Sequence, residues 1–184
     1  KRSFFPVARC REYWLDRIQI PPLSDGSVRP WRGEDLYPVY QGFVRNFPIR
    51  LELSRDEFEA HLAYLRAAGR RIWVAADQWT HVEGFGVTLP VSTGIRFELL
   101  AYENSRALVN LLARQARYTQ TLVVRTGPNE ALERLFEGVV HRPKDSVLVR
   151  LTNWQLLSRW LHMELRSPQA LFDAFPAAMW FGLL

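Results

Sequence analysis

Apolar positions along this chain change their period several times, and each change marks an element. Leu36, Tyr40, Phe43 and Phe47 recur at helical spacing. Pro38 fits only near the first turn, and Asn46-Phe47-Pro48 ends the helix because a residue before proline resists the α region. The next helix carries its own start signal. Ser54 and Glu57 form a capping box, with Leu53 and Phe58 set as a hydrophobic staple. Its apolar face runs through Phe58, Leu62 and Leu65, and Gly69 supplies the stop.

After Gly69 the period shortens to that of strands, over residues 71–77, 82–89 and 95–101. The breaks between them are short enough for antiparallel hairpins. Gly84 and Gly86, inside the second strand, suggest a bulge or close packing of another backbone. Helical spacing returns through Leu108, Leu111, Leu112 and Gln115, followed by a strand over 121–125. Gly127-Pro128 predicts a helix reaching Gly138, with proline at its first position. A strand over 147–151 and a helix over 154–165 close the pattern, and residues 28–31 form a short strand before it. The three-strand run implies an antiparallel meander, and the later alternation implies parallel additions. The fold class expected is α/β (α+β): a mixed, mostly antiparallel sheet with helices on both faces.

Composition narrows the function classes. The chain has 184 residues, 48% hydrophobic and 23% charged, which excludes a disordered or low-complexity segment. No apolar run reaches the ~20 residues needed to span a bilayer. The net charge is +5, and arginine supplies 22 of the 24 basic residues, with lysine only at Lys1 and Lys144. The arginines alternate with Asp and Glu along most of the chain, which argues against a nucleic-acid footprint on one face. Cys10 alone cannot form an internal disulfide, and His61, His81, His141 and His162 show no metal-ligand spacing, so no metal site is expected. Residues 1–27 read as a linker or tail, 28–165 as the main domain and 166–184 as an apolar C-terminal extension. Both ends look cut, as in a piece of a larger protein. Phe175, Met179, Trp180 and Phe181 are expected to pack on this domain or a neighbouring one. No export signal stands in these residues, so a cytoplasmic location is the expectation.

The order of elements over residues 28–151 resembles that of a GNAT acyltransferase domain. Val28-Arg29-Pro30-Trp31-Arg32-Gly33-Glu34-Asp35-Leu36 is similar to that family's R-P-x-x-x-E-D-L opening. The run from Arg71 to Asp77, with Val82-Glu83-Gly84-Phe85-Gly86-Val87, resembles its V-A-x-D … V-x-G-x-x-V hairpin. Ser146 to Thr152 and Trp154 to Leu157 look like the closing element of the second domain of tandem-GNAT proteins of the enhanced intracellular survival type. That resemblance implies an upstream GNAT domain on the same polypeptide, carrying acetyl-CoA and the catalytic groups, with the stretch from Arg9 to Ile20 as its tail. This chain would be the degenerate copy, and the acceptor amine stays open.

Acetyl transfer to an amine needs backbone donors for the CoA pyrophosphate, a base for the amine and an acid for the leaving thiolate. By resemblance, Glu98 stands where a general-base glutamate is often found, and Tyr102 is a candidate acid, as is Tyr118. The cofactor would lie along Leu100 and Ala101, with Arg106 as one charged contact. Residues 99–107, where the phosphate loop belongs, contain no glycine, and Glu103 there opposes an anion. A helix start capped by Asn104 or Ser105 is the alternative at that junction. Three readings follow: a non-catalytic supporting copy, a self-sufficient acetyltransferase with an atypical loop, or a ligand- or protein-binding module. The seven tryptophans read as core or interdomain packing.

Overall fold

The computed structural model describes residues 5–24, 26–47, 49–50, 52–127, 130–149, 154–160, 162–164, 170 and 179–180. The chain opens with a twelve-residue strand, β1 (Phe5–Asp16), then β2 (Ser27–Pro30). Helix α1 (Tyr37–Val44) carries Pro38 in its first turn and is followed by the two-residue β3 (Ile49–Arg50). Helix α2 (Arg55–Ala67) starts at its capping box. The Ser54 N–H donates to the Glu57 carboxylate at 2.8 Å, and the Glu57 N–H donates back to the Ser54 hydroxyl. Gly69, at φ +79°, turns the chain out of the helix in a conformation that favours glycine.

Strands β4 (Arg71–Ala76), β5 (Val82–Val91) and β6 (Gly94–Tyr102) form the antiparallel meander. Helix α3 (Ser105–Ala116) then crosses to β7 (Thr121–Thr126), which runs parallel to β6. β8 (His141–Val149), α4 (Trp154–Trp160) and β9 (Met179–Trp180) complete the elements. Seven strands make one sheet, in the order β2-β4-β5-β6-β7-β1-β8. Neighbouring strands split their side chains between two cores. Tyr40, Phe43, Phe58 and Leu62 of α1 and α2 cover Ile72, Val74, Phe85 and Val87 on one face. Leu108, Leu111 and Leu112 of α3 cover Trp73, Ala75, Phe97 and Leu122 on the other. Helices therefore lie on both faces of a mixed, mostly antiparallel sheet, as the pattern predicts.

Several elements differ from the expectation. Residues 5–16, read as part of a connecting tail, form a strand laddered to β7 on one side and β8 on the other. Glu12 helps hold it there, accepting from Arg125 Nε of β7 at 2.6 Å and from Lys144 Nζ of β8 at 3.2 Å. β8 begins at His141, earlier than the apolar run suggests, because β1 offers it a partner edge. The helix expected from Gly127 to Gly138 is not formed over the described residues 130–138. Its described part holds only a 3₁₀ turn at Leu132–Arg134, since the Tyr13 hydroxyl bonds the Glu130 carbonyl and the Leu132 N–H. Helix α4 stops at Trp160 in a turn through His162, short of the expected 165. Of the apolar C-terminal residues, Phe175 and Phe181 lie outside the described residues. Met179 and Trp180 pair in parallel with Ile49 and Arg50, as backbone.

Candidate functional site

Strands β6 and β7 are laddered only from Ile95 to Phe97 on β6 and from Leu122 to Val124 on β7. Beyond Phe97 they part, so the sheet opens toward the end where β6 finishes at Tyr102. Tyr102 stands in that gap. Its ring packs against both cores and lies 5.2 Å from the ring of Phe43. Its hydroxyl donates to the carboxylate of Glu130, in the segment that follows β7. Glu130 also accepts the Gly127 N–H at 2.8 Å. Phe47 sits against Gly127 so closely that a Cβ there would fall 2.5 Å from the ring. Burial and the neighbouring Glu130 carboxylate push the Tyr102 hydroxyl far above its ordinary value, so it stays a donor. Burial also raises Glu130 above the usual carboxylate range, against the opposing hydrogen bonds from Tyr102 and Gly127.

A second tyrosine secures the same segment from β1. Tyr13 is fully buried and donates to Glu133 at 2.5 Å and to the Glu130 carbonyl at 3.1 Å. Arg11 pairs with Glu133 at 2.9 Å. Two tyrosines on two strands thus hold two glutamates of one loop, Tyr102 from across the opening and Tyr13 from the β1 side of β7. Neither Tyr13 nor Glu130 stands out in the sequence. Tyr13 belongs to a stretch read as lying before the domain, and Glu130 looks like an ordinary first-turn acid of a helix.

The helix start at the mouth of the gap is occupied by the chain's own groups. The Asn104 side chain caps α3, accepting the Ala107 N–H at 2.9 Å. Its amide donates to Glu83 at 3.0 Å, and Arg106 donates to the same carboxylate oxygen. Glu83 is the extra residue of a bulge in β5, where Ala75 faces Gly84 and Ala76 faces Val82. Gly84 beside it is tightly packed: a Cβ would meet the Ala107 Cβ and the Ala101 carbonyl at 3.2 Å. That is the close packing its position in the strand suggests. Glu103 lies 3.3 Å from His81. A phosphate brought to this helix start would meet the carboxylates of Glu83 and Glu103, with Arg106 already committed. These residues do not fit a CoA pyrophosphate.

The structure does not bring Glu98 and Tyr102 together. They are four residues apart on β6, about 13 Å along an extended strand. Glu98 is itself the extra residue of a bulge, since Val87 faces Leu99 and Thr88 faces Phe97. In a regular strand Phe97 and Leu99 would share a face; the bulge instead sends Phe97 into the α3 core and Leu99 into the α1–α2 core. Arg70 Nε at 2.8 Å and Arg96 at 2.9 Å clamp the Glu98 carboxylate. Burial alone would raise its pKa, but these two guanidiniums outweigh it and hold Glu98 below the usual range. Leu100 and Ala101 are buried in opposite cores. Tyr118 is exposed on the far side of α3 in sequence, with the Arg114 guanidinium 5.4 Å from its ring centre. Trp73 is a core residue as expected, whereas Trp79 and Trp160 are 79% and 70% exposed. Among the described residues no group of three His, Cys, Asp or Glu could hold a metal ion, and no helix is long and apolar enough to cross a membrane.

No protein-family model matches this chain, and no curated protein matches it in sequence. Solved structures do match in fold. A conserved protein of unknown function from Enterococcus faecalis superposes with a TM-score of 0.60 at 10% identity, over 80% of this chain and 40% of that one. A GCN5-related N-acetyltransferase from Anabaena variabilis gives 0.58 at 11%, over 81% and 40%. Eis1 from Mycobacterium abscessus gives 0.55 at 12%, over 83% and 44%. This chain therefore spans less than half the length of each of these three proteins.

Proposed function

The fold of this chain is that of the GCN5-related N-acetyltransferases, and from that premise we propose that it is a non-catalytic copy of that fold. It supports an acetyl-CoA-dependent N-acyltransferase domain upstream on the same polypeptide, which holds the cofactor and the acceptor amine. The observation that carries this reading is the pairing of Tyr102 with Glu130 across the gap between β6 and β7. In this fold that gap is where a pantetheine arm and its thioester would lie, and here side chains of the chain itself bridge it. The self-filled start of α3 supports the same conclusion, because Glu83 and Glu103 stand where a pyrophosphate needs donors.

A self-sufficient acetyltransferase would need a carboxylate, or a water, positioned to take the amine proton. Glu98, held by two arginines below its ordinary range, is a poor proton acceptor for that task. Thiol release from acetyl-CoA tests the reading, with spermidine, a lysine peptide and an aminoglycoside as acceptors. The purified chain is expected to release no thiol above spontaneous hydrolysis. An acceptor-dependent rate that falls in Glu98→Gln would overturn it.

A further inference from the structure

A second recess opens at the other end of the sheet, where β4 begins. It is a groove of about 350 Å³ lined in part by Trp31, Arg66, Arg70 and Arg71. β4 and β6 run in the same direction, since each is antiparallel to β5. The start of β4 is therefore opposite the Tyr102 end, and the groove is separate from the gap between β6 and β7.

The groove carries an excess of positive charge that the fold does not neutralise. Arg70 donates to Glu98 at 2.8 Å and to the Ala68 carbonyl at 2.8 Å. Glu98 is shared with Arg96, so one carboxylate serves two guanidiniums. Among the described residues, neither Arg66 nor Arg71 meets a carboxylate. The acid nearest Trp31 in sequence, Glu34, is taken by Arg29 and by the Arg32 N–H at 2.7 Å. Arg70 therefore has half of one carboxylate and Arg66 and Arg71 have none, a local surplus that suits a doubly charged anion.

The wall is as ordered as the charges. Trp31 donates its indole N–H to the Glu34 carbonyl at 2.9 Å, and its backbone N–H to the Ile72 carbonyl at 2.9 Å, which fixes the ring. Arg66 lies 5.9 Å from the ring centre. Guanidiniums bind phosphate oxygens in pairs of parallel hydrogen bonds, and they do so best beside an apolar wall that excludes water. The volume is near the lower end of the range for small-ligand sites, about 300–1,000 Å³.

We infer that this groove binds a small phosphate monoester, with Arg66 and Arg71 taking the dianion and Trp31 forming the wall for its flat or apolar ester group. Phenyl phosphate carries both features and is the probe. It is titrated calorimetrically into the whole chain at low salt, beside inorganic phosphate and phenol. Expected are a dissociation constant under about 1 mM for phenyl phosphate, at least tenfold weaker binding of inorganic phosphate, and no heat from phenol. Arg66→Ser with Arg71→Ser should weaken phenyl phosphate at least tenfold. Both residues are exposed, so the fold should persist, as checked by circular dichroism. A dissociation constant for phenyl phosphate above about 1 mM, or no saturable binding, would overturn the inference. An unchanged affinity in the double variant, or equal affinity for inorganic phosphate, would do the same.

Discussion

The hydroxyl of Tyr102, at the last residue of β6, donates to the carboxylate of Glu130 across the place where β6 and β7 have parted. The bond joins a strand end to a loop that the Tyr13 hydroxyl of β1 also holds. Each partner keeps the other satisfied in a poorly hydrated place, so losing one leaves the other exposed to the full penalty of an unpaired polar group. Tyr102→Phe should cost about 1–3 kcal/mol of unfolding free energy at neutral pH. In a Glu130→Gln background the same change should cost less, and a double-mutant cycle in denaturant measures the coupling.

Glu130 also sets a pH dependence of defined sign. Its folded-state pKa is raised, chiefly by burial, above an ordinary value of 4.5. The folded state then binds the proton more tightly than the unfolded chain, so this group stabilises at low pH and loses that contribution as pH rises from 4.5 through the folded value. Glu130→Gln removes the loss. The melting temperature of the variant relative to the parent should rise with pH across that window, and a flat difference between pH 4 and pH 8 would contradict it.

Glu98 should behave in the opposite way. Its pKa is lowered, the Arg70 and Arg96 hydrogen bonds outweighing burial, so its contribution is present above 4.5 and is lost as pH falls through the folded value. Glu98→Gln should lower the melting temperature at pH 7 and converge with the parent in acid. Thermal scans from pH 7 downward measure both arms.

The local elements of this fold are legible in the sequence because their signals are local. The Ser54–Glu57 box places the start of α2 to the residue, and alternation after Gly69 places the meander. Two things were not legible. The pairing of β1 with β7 joins residues more than a hundred positions apart, such as Trp14 and Val123, and no periodicity within residues 5–16 announces such a partner. The bulges at Glu83 and Glu98 are the other failure, because one extra residue reverses which side chains share a face. Both bear on the candidate site: Tyr13 belongs to the unannounced strand β1, and nothing in the sequence marks the bulge at Glu98.

The capping box provides a check on the local reading. Ser54→Ala removes the acceptor of the Glu57 N–H and should destabilise the fold by about 1 kcal/mol in urea titration, whereas Ser54→Asp should retain most of the stability.

Gly94 opens β6 at φ +142°, and a Cβ there would lie 2.1 Å from the Thr121 carbonyl oxygen of β7. Gly94→Ala should therefore separate β6 from β7 where they are still laddered, at a cost above about 2 kcal/mol, read as a lowered midpoint in denaturant.

Tyr102 and Glu130 bridge the gap between β6 and β7 from within, and on the proposed reading that gap takes no cofactor. Isothermal titration of acetyl-CoA into the 184-residue chain addresses it directly. No saturable heat is expected at acetyl-CoA concentrations up to about 1 mM. Saturable binding in the micromolar range would contradict it, because a cofactor could enter that gap only by parting Tyr102 from Glu130.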